Sequence, residues 1–398
     1  MSLPATIPIP DEVLEIAGTL EQAGHEAWIV GGALRDLLLG HPLHDSDIDI
    51  ATSATPAQVR ALFRRTAAVG EKYGTIGVLD QRWKLHEVTT FRRDVVTDGR
   101  HAVVEYGVTL EQDLARRDFT INAMAYHPIR HEWRDPFAGG RDLADGVVRA
   151  VGDPSQRFRE DYLRILRGIR FAARFGFAIE PATWTAARDS AAGLANLSAE
   201  RVRDEWFKGL RTARSVAGLV SLWREVGATT QWMPELDRTP PEILARVAPL
   251  PLEQRDPVLL TALLTATPDH VLRRLRASSA EVDRAKACSE EPPAPEKFDE
   301  PAVRRWLSRV GDAADDLLAL WTLRHGTEPP WAPVVRRVRE RGDPLSRADL
   351  AITGNDLRDA GASGRRIGEI LSVLLDRVLE TPALNTRETL LALARALL

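Results

Sequence analysis

Residues 27–54 read AWIVGGALRDLLLGHPLHDSDIDIATSA, and three patterns follow one another inside this stretch. Ala27–Val30 is a short apolar run of strand type. It ends at Gly31-Gly32, and ALRDLLL then repeats apolar residues at helical spacing until Gly40 stops it. Two residues without Cβ atoms between a strand and a helix let backbone N–H groups approach an anion at the helix start, and Arg35, one turn on, is in reach of the same anion. Asp47–Ile50 alternates carboxylate and apolar side chains with a period of two. As a strand it sets Asp47 and Asp49 side by side on one face and turns Ile48 and Ile50 toward a core. Two carboxylates that close repel unless a cation lies between them, and magnesium prefers such hard oxygen donors. A lone Gly pair is commonly a packing device, and a lone DxD is commonly a solvent-facing strand edge. About 15 residues separate the two here, and that spacing turns both toward phosphoryl chemistry.

Working outward, residues 11–24 carry the pattern of an amphipathic helix, and further strands are expected at 75–80, 84–90, 124–127 and 132–135. Strands mixed with helices up to residue 150 predict an α+β domain. After Gly152-Asp153-Pro154 the pattern is almost entirely helical, with Gly and Pro punctuation. Pro292-Pro293-Ala294-Pro295 is expected in a surface loop or linker. Arg92–Gly107, RRDVVTDGRHAVVEYG, is charged, carries a turn at Thr97-Asp98-Gly99, and is expected as a mobile surface loop. Two more charged clusters follow. Arg116–Ala123 reads RRDFTINA, with Asp118 able to cap a helix start. Arg157–Arg174 reads RFREDYLRILRGIRFAAR, where a helix brings Asp161, Arg164 and Ile165 together at i, i+3 and i+4 and continues with Arg167 and Arg170.

At VGGALRDLLLG, DSDIDIATSA, RRDFTINA and EDYLR the chain resembles the class II CCA-adding tRNA nucleotidyltransferases and the related bacterial poly(A) polymerases, within the polymerase-β-like superfamily. The likeness is close over 27–210, faint over 211–345, and returns from 352 in ITGNDL with Gly361, Gly364 and Ile367-Gly368. It implies an N-terminal nucleotidyltransferase head with a small mixed sheet (1–150). An all-helical neck with a nucleotide-selecting template (151–215), a body (216–345) and a tRNA-contacting tail (346–398) would follow. It implies that Asp47 and Asp49 bind the catalytic Mg2+, with Glu87 as a supporting carboxylate. Gly32, Arg35 and Arg117 would contact the nucleotide, and Asp118 would lie near its ribose. Asp161 and Arg164 would read the base, with Arg167 and Arg170 reaching phosphate or shaping the pocket. Leu197-Ser198-Ala199-Glu200-Arg201, with Glu205 and Lys208, resembles a motif that braces the neck, with Ser198 as helix N-cap. In relatives, a flexible loop at the place of 92–107 serves the switch from C to A addition.

The template has a simple chemistry. Cytosine and adenine both present an amino donor next to a ring-nitrogen acceptor, which suits a carboxylate beside a guanidinium fork. Guanine and uracil present a carbonyl at the same place, and acceptor then faces acceptor at a cost of about 1–3 kcal/mol.

Bulk properties bound the function further. A chain of 398 residues exceeds one ordinary core, and 44% hydrophobic with 28% charged residues is a globular composition. No apolar run reaches the roughly 20 residues of a bilayer crossing, and no basic, then apolar, leader opens the chain. The single cysteine, Cys288, excludes an internal disulfide framework. A cytoplasmic protein is expected, with no membrane and no protein partner evident. The net charge of −4 argues against a uniformly basic nucleic-acid binder, but only five of 53 basic residues are lysine and the arginines cluster. His101, His131 and His270 form no His-Asp pairs of hydrolase type. The expected activity is template-independent addition of CCA to tRNA lacking part or all of it, from CTP and ATP. A poly(A) polymerase, a CC-only or A-only enzyme, and an inactive RNA- or nucleotide-binding module remain alternatives.

Overall fold

The computed structural model describes residues 3–43, 48–97, 102–248, 250–289 and 294–398. AWIV is buried at all four positions because it runs down the interior of a sheet. This strand, β1 (Ala27–Val30), pairs antiparallel with β2 (Asp49–Thr52) on one side and with a later strand, Ala125–His127, on the other. Central strands covered on both faces read as unbroken apolar runs rather than alternating ones. Beyond β2 lie β3 (Thr66–Gly70), β4 (Thr75–Leu79) and β5 (Leu85–Thr90). β5 is parallel to β2 and antiparallel to β4, so the seven-stranded sheet is mixed, as expected. Its order is β3-β4-β5-β2-β1, then Ala125–His127, then Glu132–Arg134.

The two sheet faces differ. Ile29, Ile50, Ile76, Val78 and Val88 pack into one cluster with Val13, Ile16 and Leu20 of α1 (Asp11–Gln22), Leu34 of α2 (Gly32–Leu38) and Val59 of α3 (Pro56–Leu62). Ile48 joins Ile50 there, as the period-two reading requires. Trp28, Val30 and Ala51 face the other way, onto Phe91 and onto Leu110 and Leu114 of α4 (Leu110–Ala115). Asp49, one alternation before Ala51, therefore emerges from this second face at the end of its strand.

Residues 92–107 depart from the expected surface loop. Residues 92–97 and 102–106 form an antiparallel pair, β6 (Arg92–Thr97) with β7 (Ala102–Tyr106), from Arg92 opposite Tyr106 to Thr97 opposite Ala102. Val95-Val96 and Val103-Val104 supply β-branched residues on both sides of the turn, a hairpin signal that the charge of the segment conceals. Residues 98–101 lie outside the described residues. Strand β3, TAAVG, was not anticipated, because small residues without alternation carry no strand period.

The expected continuous helix over 157–174 is also two helices. After α5 (Gly139–Asp145), α6 (Pro154–Glu160) ends at Asp161, whose backbone is extended (φ −157°, ψ 105°), and α7 runs over Leu163–Phe175. The Asp161 carboxylate accepts the N–H of Leu163 at 3.0 Å, starting the second helix as it ends the first. α8 (Pro181–Asp189) and α9 (Ala199–Thr212) follow. Ser198 occupies the N-cap position of α9, but its side chain makes no capping hydrogen bond there.

The chain divides into two compact units, residues 1–237 and 238–398. The described part of the second is helical throughout, with one core around Trp306 and Trp331 and another around Ile352, Leu357, Ile370 and Leu374. Within it, buried Arg304 donates to the carbonyls of Leu379 (2.6 Å) and Glu380 (3.1 Å) and to Asp343 (3.0 Å), tying helix Glu300–Val310 to the C-terminal end of helix Arg365–Glu380. Among the described residues no helix is long and apolar enough to cross a membrane.

Gly139 is a packing requirement of the first unit: a Cβ there would overlap the carbonyl oxygen of Thr120, a backbone atom without freedom to yield. Gly139→Ala is expected to destabilise the protein by about 1–3 kcal/mol through overpacking. Gly18→Ala, with nothing within 4 Å of the added methyl, is the control. Thermal unfolding should show a clearly lower midpoint only for the former.

Candidate active site

One cleft of about 570 Å³ opens on the second face of the sheet. Its floor comes from β1, β2 and β5. Asp49 opens β2; Glu87 and Thr89 stand on the neighbouring β5, whose Val88 is level with Ile50, so all three side chains share one face. Gly31 closes the end of β1 with φ +79°, a conformation that favours glycine. A Cβ on Gly31 would meet Arg117 Nη1 at 3.1 Å and Asp49 Oδ2 at 3.7 Å, so this glycine is the gap across which a carboxylate and a guanidinium face one another. Asp47 lies outside the described residues. Among those described, no three His, Cys, Asp or Glu side chains are gathered as a metal cluster.

The walls are basic. Nine arginines line the cleft against four carboxylates (Asp49, Glu87, Asp118 and Asp161), a surplus that suits a polyanion. Each guanidinium is held by an acceptor from the surrounding structure. Arg35 is buried, donates to Asn122 Oδ1 at 2.5 Å and to Asp36, and lies 5.0 Å from the rings of both Phe171 and Phe175. Burial lowers its pKa, with Asp36 opposing. Arg170 pairs with buried Glu205 at 2.5 Å and stacks on Phe171. Arg117 donates to Asp113 (3.3 Å) and to the carbonyl of Asn122 (3.4 Å).

Asp118 does not cap a helix by the usual pattern. Its Oδ1 accepts the N–H of Phe119 (2.8 Å) and the amide of Asn122 (3.0 Å), while Oδ2 accepts Arg167 Nε (2.8 Å). Burial pushes this carboxyl up, but the Arg167 charge and these hydrogen bonds outweigh it and hold the pKa at about 2. Asp118 in turn raises the pKa of Arg167.

The fourth wall comes from the break between α6 and α7. Asp161 and Arg164 both line the cleft that Asp49 lines, although they do not share a helix face. Asp161 Oδ2 accepts Arg201 Nη2 at 2.6 Å. Arg164 donates from Nη1 to Glu160 (2.8 Å) and the Arg157 carbonyl (3.2 Å), and from Nη2 to the Arg116 carbonyl (3.1 Å).

Residues 27–149 match the family described as the poly A polymerase head domain, and residues 176–239 the one described as a probable RNA- and SrmB-binding site of polymerase A. A solved CCA-adding enzyme of Bacillus stearothermophilus, in complex with CTP, matches with a TM-score of 0.81 and 33% identity, over 97% of this chain and 96% of that one. This chain belongs to the CCA-adding enzyme family. Curated CCA-adding enzymes of Lactiplantibacillus plantarum and Streptococcus pneumoniae are 46% and 45% identical over 222 and 213 residues, 55% and 53% of this chain. These matches span about half the length of the curated relatives, 53% and 52%. The Thermotoga maritima CCA-adding enzyme complexed with tRNA shares the fold at 20% identity, with a TM-score of 0.65.

Every described residue singled out for the family's site (Gly32, Arg35, Asp49, Arg117, Asp161, Arg164, Arg167 and Arg170) lines this one cleft. Glu87 does as well. Sequence reasoning missed Arg92, Arg116, Arg174 and Arg201 as cleft residues, and read the segment holding Arg201 as purely structural. Arg201 lies 40 residues from its partner Asp161, and no local pattern links them.

The depressed pKa of Asp118 makes a stability prediction. A carboxyl lowered from 3.8 to about 2 contributes stability that is complete above pH 4 and lost as the pH falls through 2, about 2 kcal/mol in all. Urea unfolding of wild type and Asp118→Asn across pH 2–6 should show a difference that narrows by that amount below pH 4. A difference independent of pH would remove this account of the Asp118–Arg167 pair.

Proposed function

We propose that this chain adds the 3′-terminal CCA to tRNA lacking part or all of it, taking CTP and ATP as substrates, releasing pyrophosphate and using Mg2+. One observation carries the reading: a carboxylate of metal-binding type, Asp49, and the couple Asp161 and Arg164 line a single arginine-walled cleft in a chain of this family. The head (1–150) would carry the chemistry and the neck (151–215) the choice of base. Body (216–345) and tail (346–398) would hold RNA, in a cytoplasmic protein.

The donor set fits a hard divalent cation, since Asp49 and Glu87 project from adjacent strands on one face with Thr89 beside them. Asp47 and Asp49 would be the ligands, with Glu87 in support. Bound there, magnesium would neutralise triphosphate charge and make the RNA 3′ hydroxyl more nucleophilic. The 3′ oxygen attacks the α-phosphorus and gives up its proton to solvent, the bond from the α-phosphorus to the bridging oxygen of the β-phosphate breaks, and pyrophosphate departs. Gly32, Arg35 and Arg117 lie at the nucleotide's phosphate and ribose side, with Arg167 held toward it by Asp118. Fixed guanidinium groups need no reorganisation as charge moves onto the leaving group.

Selection rests on unused hydrogen-bonding capacity. Asp161 retains lone pairs on both oxygens beyond the bonds from Leu163 and Arg201, and these accept the amino group of cytosine or adenine. Arg164 has committed both Nη1 hydrogens and one on Nη2. Nε–H and the remaining Nη2–H form a two-pronged edge for the ring acceptors.

Labelled CTP or ATP offered to tRNAs ending before C74, after C75 and complete tests the reading. Stepwise restoration to CCA, with no extension of the complete tRNA, is expected. A long A-tail on complete tRNA, addition of C alone or A alone, or no incorporation would instead select a poly(A) polymerase, a partial enzyme or a binding module. Asp49→Ala should abolish addition of both nucleotides while RNA binding persists in a filter assay. Arg164→Ala should erode discrimination against UTP and GTP by about 10- to 100-fold; intact selectivity would overturn the template assignment.

A further inference from the structure

Asp113 stands behind the cleft wall, not in it. It lies on α4, its side chain is 1% exposed, and it is absent from the cleft lining. A carboxylate so far from water is costly unless paired and hydrogen-bonded. Its partners are Arg92, whose backbone N–H donates at 3.2 Å, Arg116, which donates from Nε (3.0 Å) and Nη2 (2.8 Å), and Arg117, which donates from Nη2 (3.3 Å). All three of those residues line the cleft. Burial pushes the carboxyl up, but the charges of Arg116 and Arg117 prevail and keep it below the usual carboxylate range.

We infer that Asp113 is a positioning residue for nucleotide binding: it neutralises one of two adjacent guanidinium groups and aims both into the cleft. This rests on the reading of the cleft as a nucleoside triphosphate site. Arg116 and Arg117 are neighbours in sequence, and without an anion between them their charges drive the side chains apart. With Asp113 in place, Arg117 reaches across Gly31 toward Asp49, and one net positive charge remains for phosphate. The same turn presents the C-terminal carbonyls of α4 to two other arginines. Arg157 bonds the carbonyl of Ala115 (3.2 Å), and Arg164 that of Arg116 (3.1 Å). Asp113 therefore supports the wall from the phosphate side to the base-reading side without touching either.

The experiment is equilibrium titration of the full chain with CTP and ATP, comparing wild type, Asp113→Asn, Asp113→Glu, Arg117→Ala and the double variant Asp113→Asn with Arg117→Ala. Asp113→Asn keeps the shape and removes the charge; it is expected to weaken both nucleotides about tenfold while tRNA affinity stays within about twofold. Asp113→Glu, which keeps the charge one methylene further out, should fall between. Because Asp113 acts partly through Arg117 and partly through Arg116, its loss should cost less in the Arg117→Ala background than in wild type. Unchanged nucleotide affinity in a variant with wild-type thermal midpoint, or factors that multiply in the double variant, would overturn the assignment. A wild type that binds both nucleotides yet extends no tRNA defeats the proposed activity instead, and the same titrations still decide the role of Asp113.

Discussion

A guanidinium taken out of bulk water must find an anionic or carbonyl acceptor, and nine of them converge on one cleft. The buried carboxylates Asp113 and Glu205, with partly buried Asp118 and Asp36, answer that demand. Each sits behind the wall or at its base and takes hydrogen bonds from one or two arginines, leaving the cleft positive but ordered. Desolvation raises the cost of every unpaired charge there, so the same low-polarity surroundings that strengthen contacts to a phosphate also require this internal pairing. Phe171 adds to it: its ring lies beneath Arg35, Arg167 and Arg170 at 4.3–5.5 Å, an apolar surface that guanidinium planes cover well.

The carboxylate side is built differently. Asp49 at the start of β2 and Glu87, alternating with buried His86 and Val88 on β5, are placed by backbone register. One face of β1, β2 and β5 is committed to the larger core; the other buries Trp28 and Ala51 against Phe91 and α4 and reaches the cleft at Val30, Asp49, Glu87 and Thr89. A rigid ladder thus fixes the acidic corner, and a network of ion pairs fixes the basic wall opposite. Gly31, with its left-handed backbone, is the seam between them.

How legible this was depended on the range of the interaction. Strand β1, the glycine pair, Asp49 and the strands near 75–90 and 125–134 declare themselves through local periodicity, and the structure places them within a residue or two of expectation. The strand pair 92–97 and 102–106 was hidden because residues such as Arg93 and Glu105, exposed on facing strands, carry charge as loops do. Asp161 was misread as helical because its carboxylate accepts the N–H of Leu163, a local competition with the helix that propensity does not resolve. Arg201 was passed over because its partner Asp161, 40 residues away, is brought near only by folding, and Asp113, though three and four residues from Arg116 and Arg117, because only folding turns those arginines into a cleft.

By itself the sequence determined the order of strand, glycine turn and helix, the acidic alternation over 47–50, the change to helices after residue 152, and which side chains match the family's motifs, because each is written within a few residues of chain. The tertiary structure alone decided that Asp49, Asp161 and Arg164 border a common space, which acceptor holds each arginine, and which donors of Arg164 stay uncommitted. Several of these pairings lie within a turn or two of chain, but the common space and bonds such as Arg201 to Asp161, Arg164 to the Arg116 carbonyl and Arg174 to Asp36 join residues 40 to 138 positions apart, and such contacts follow from packing and desolvation rather than from any local pattern.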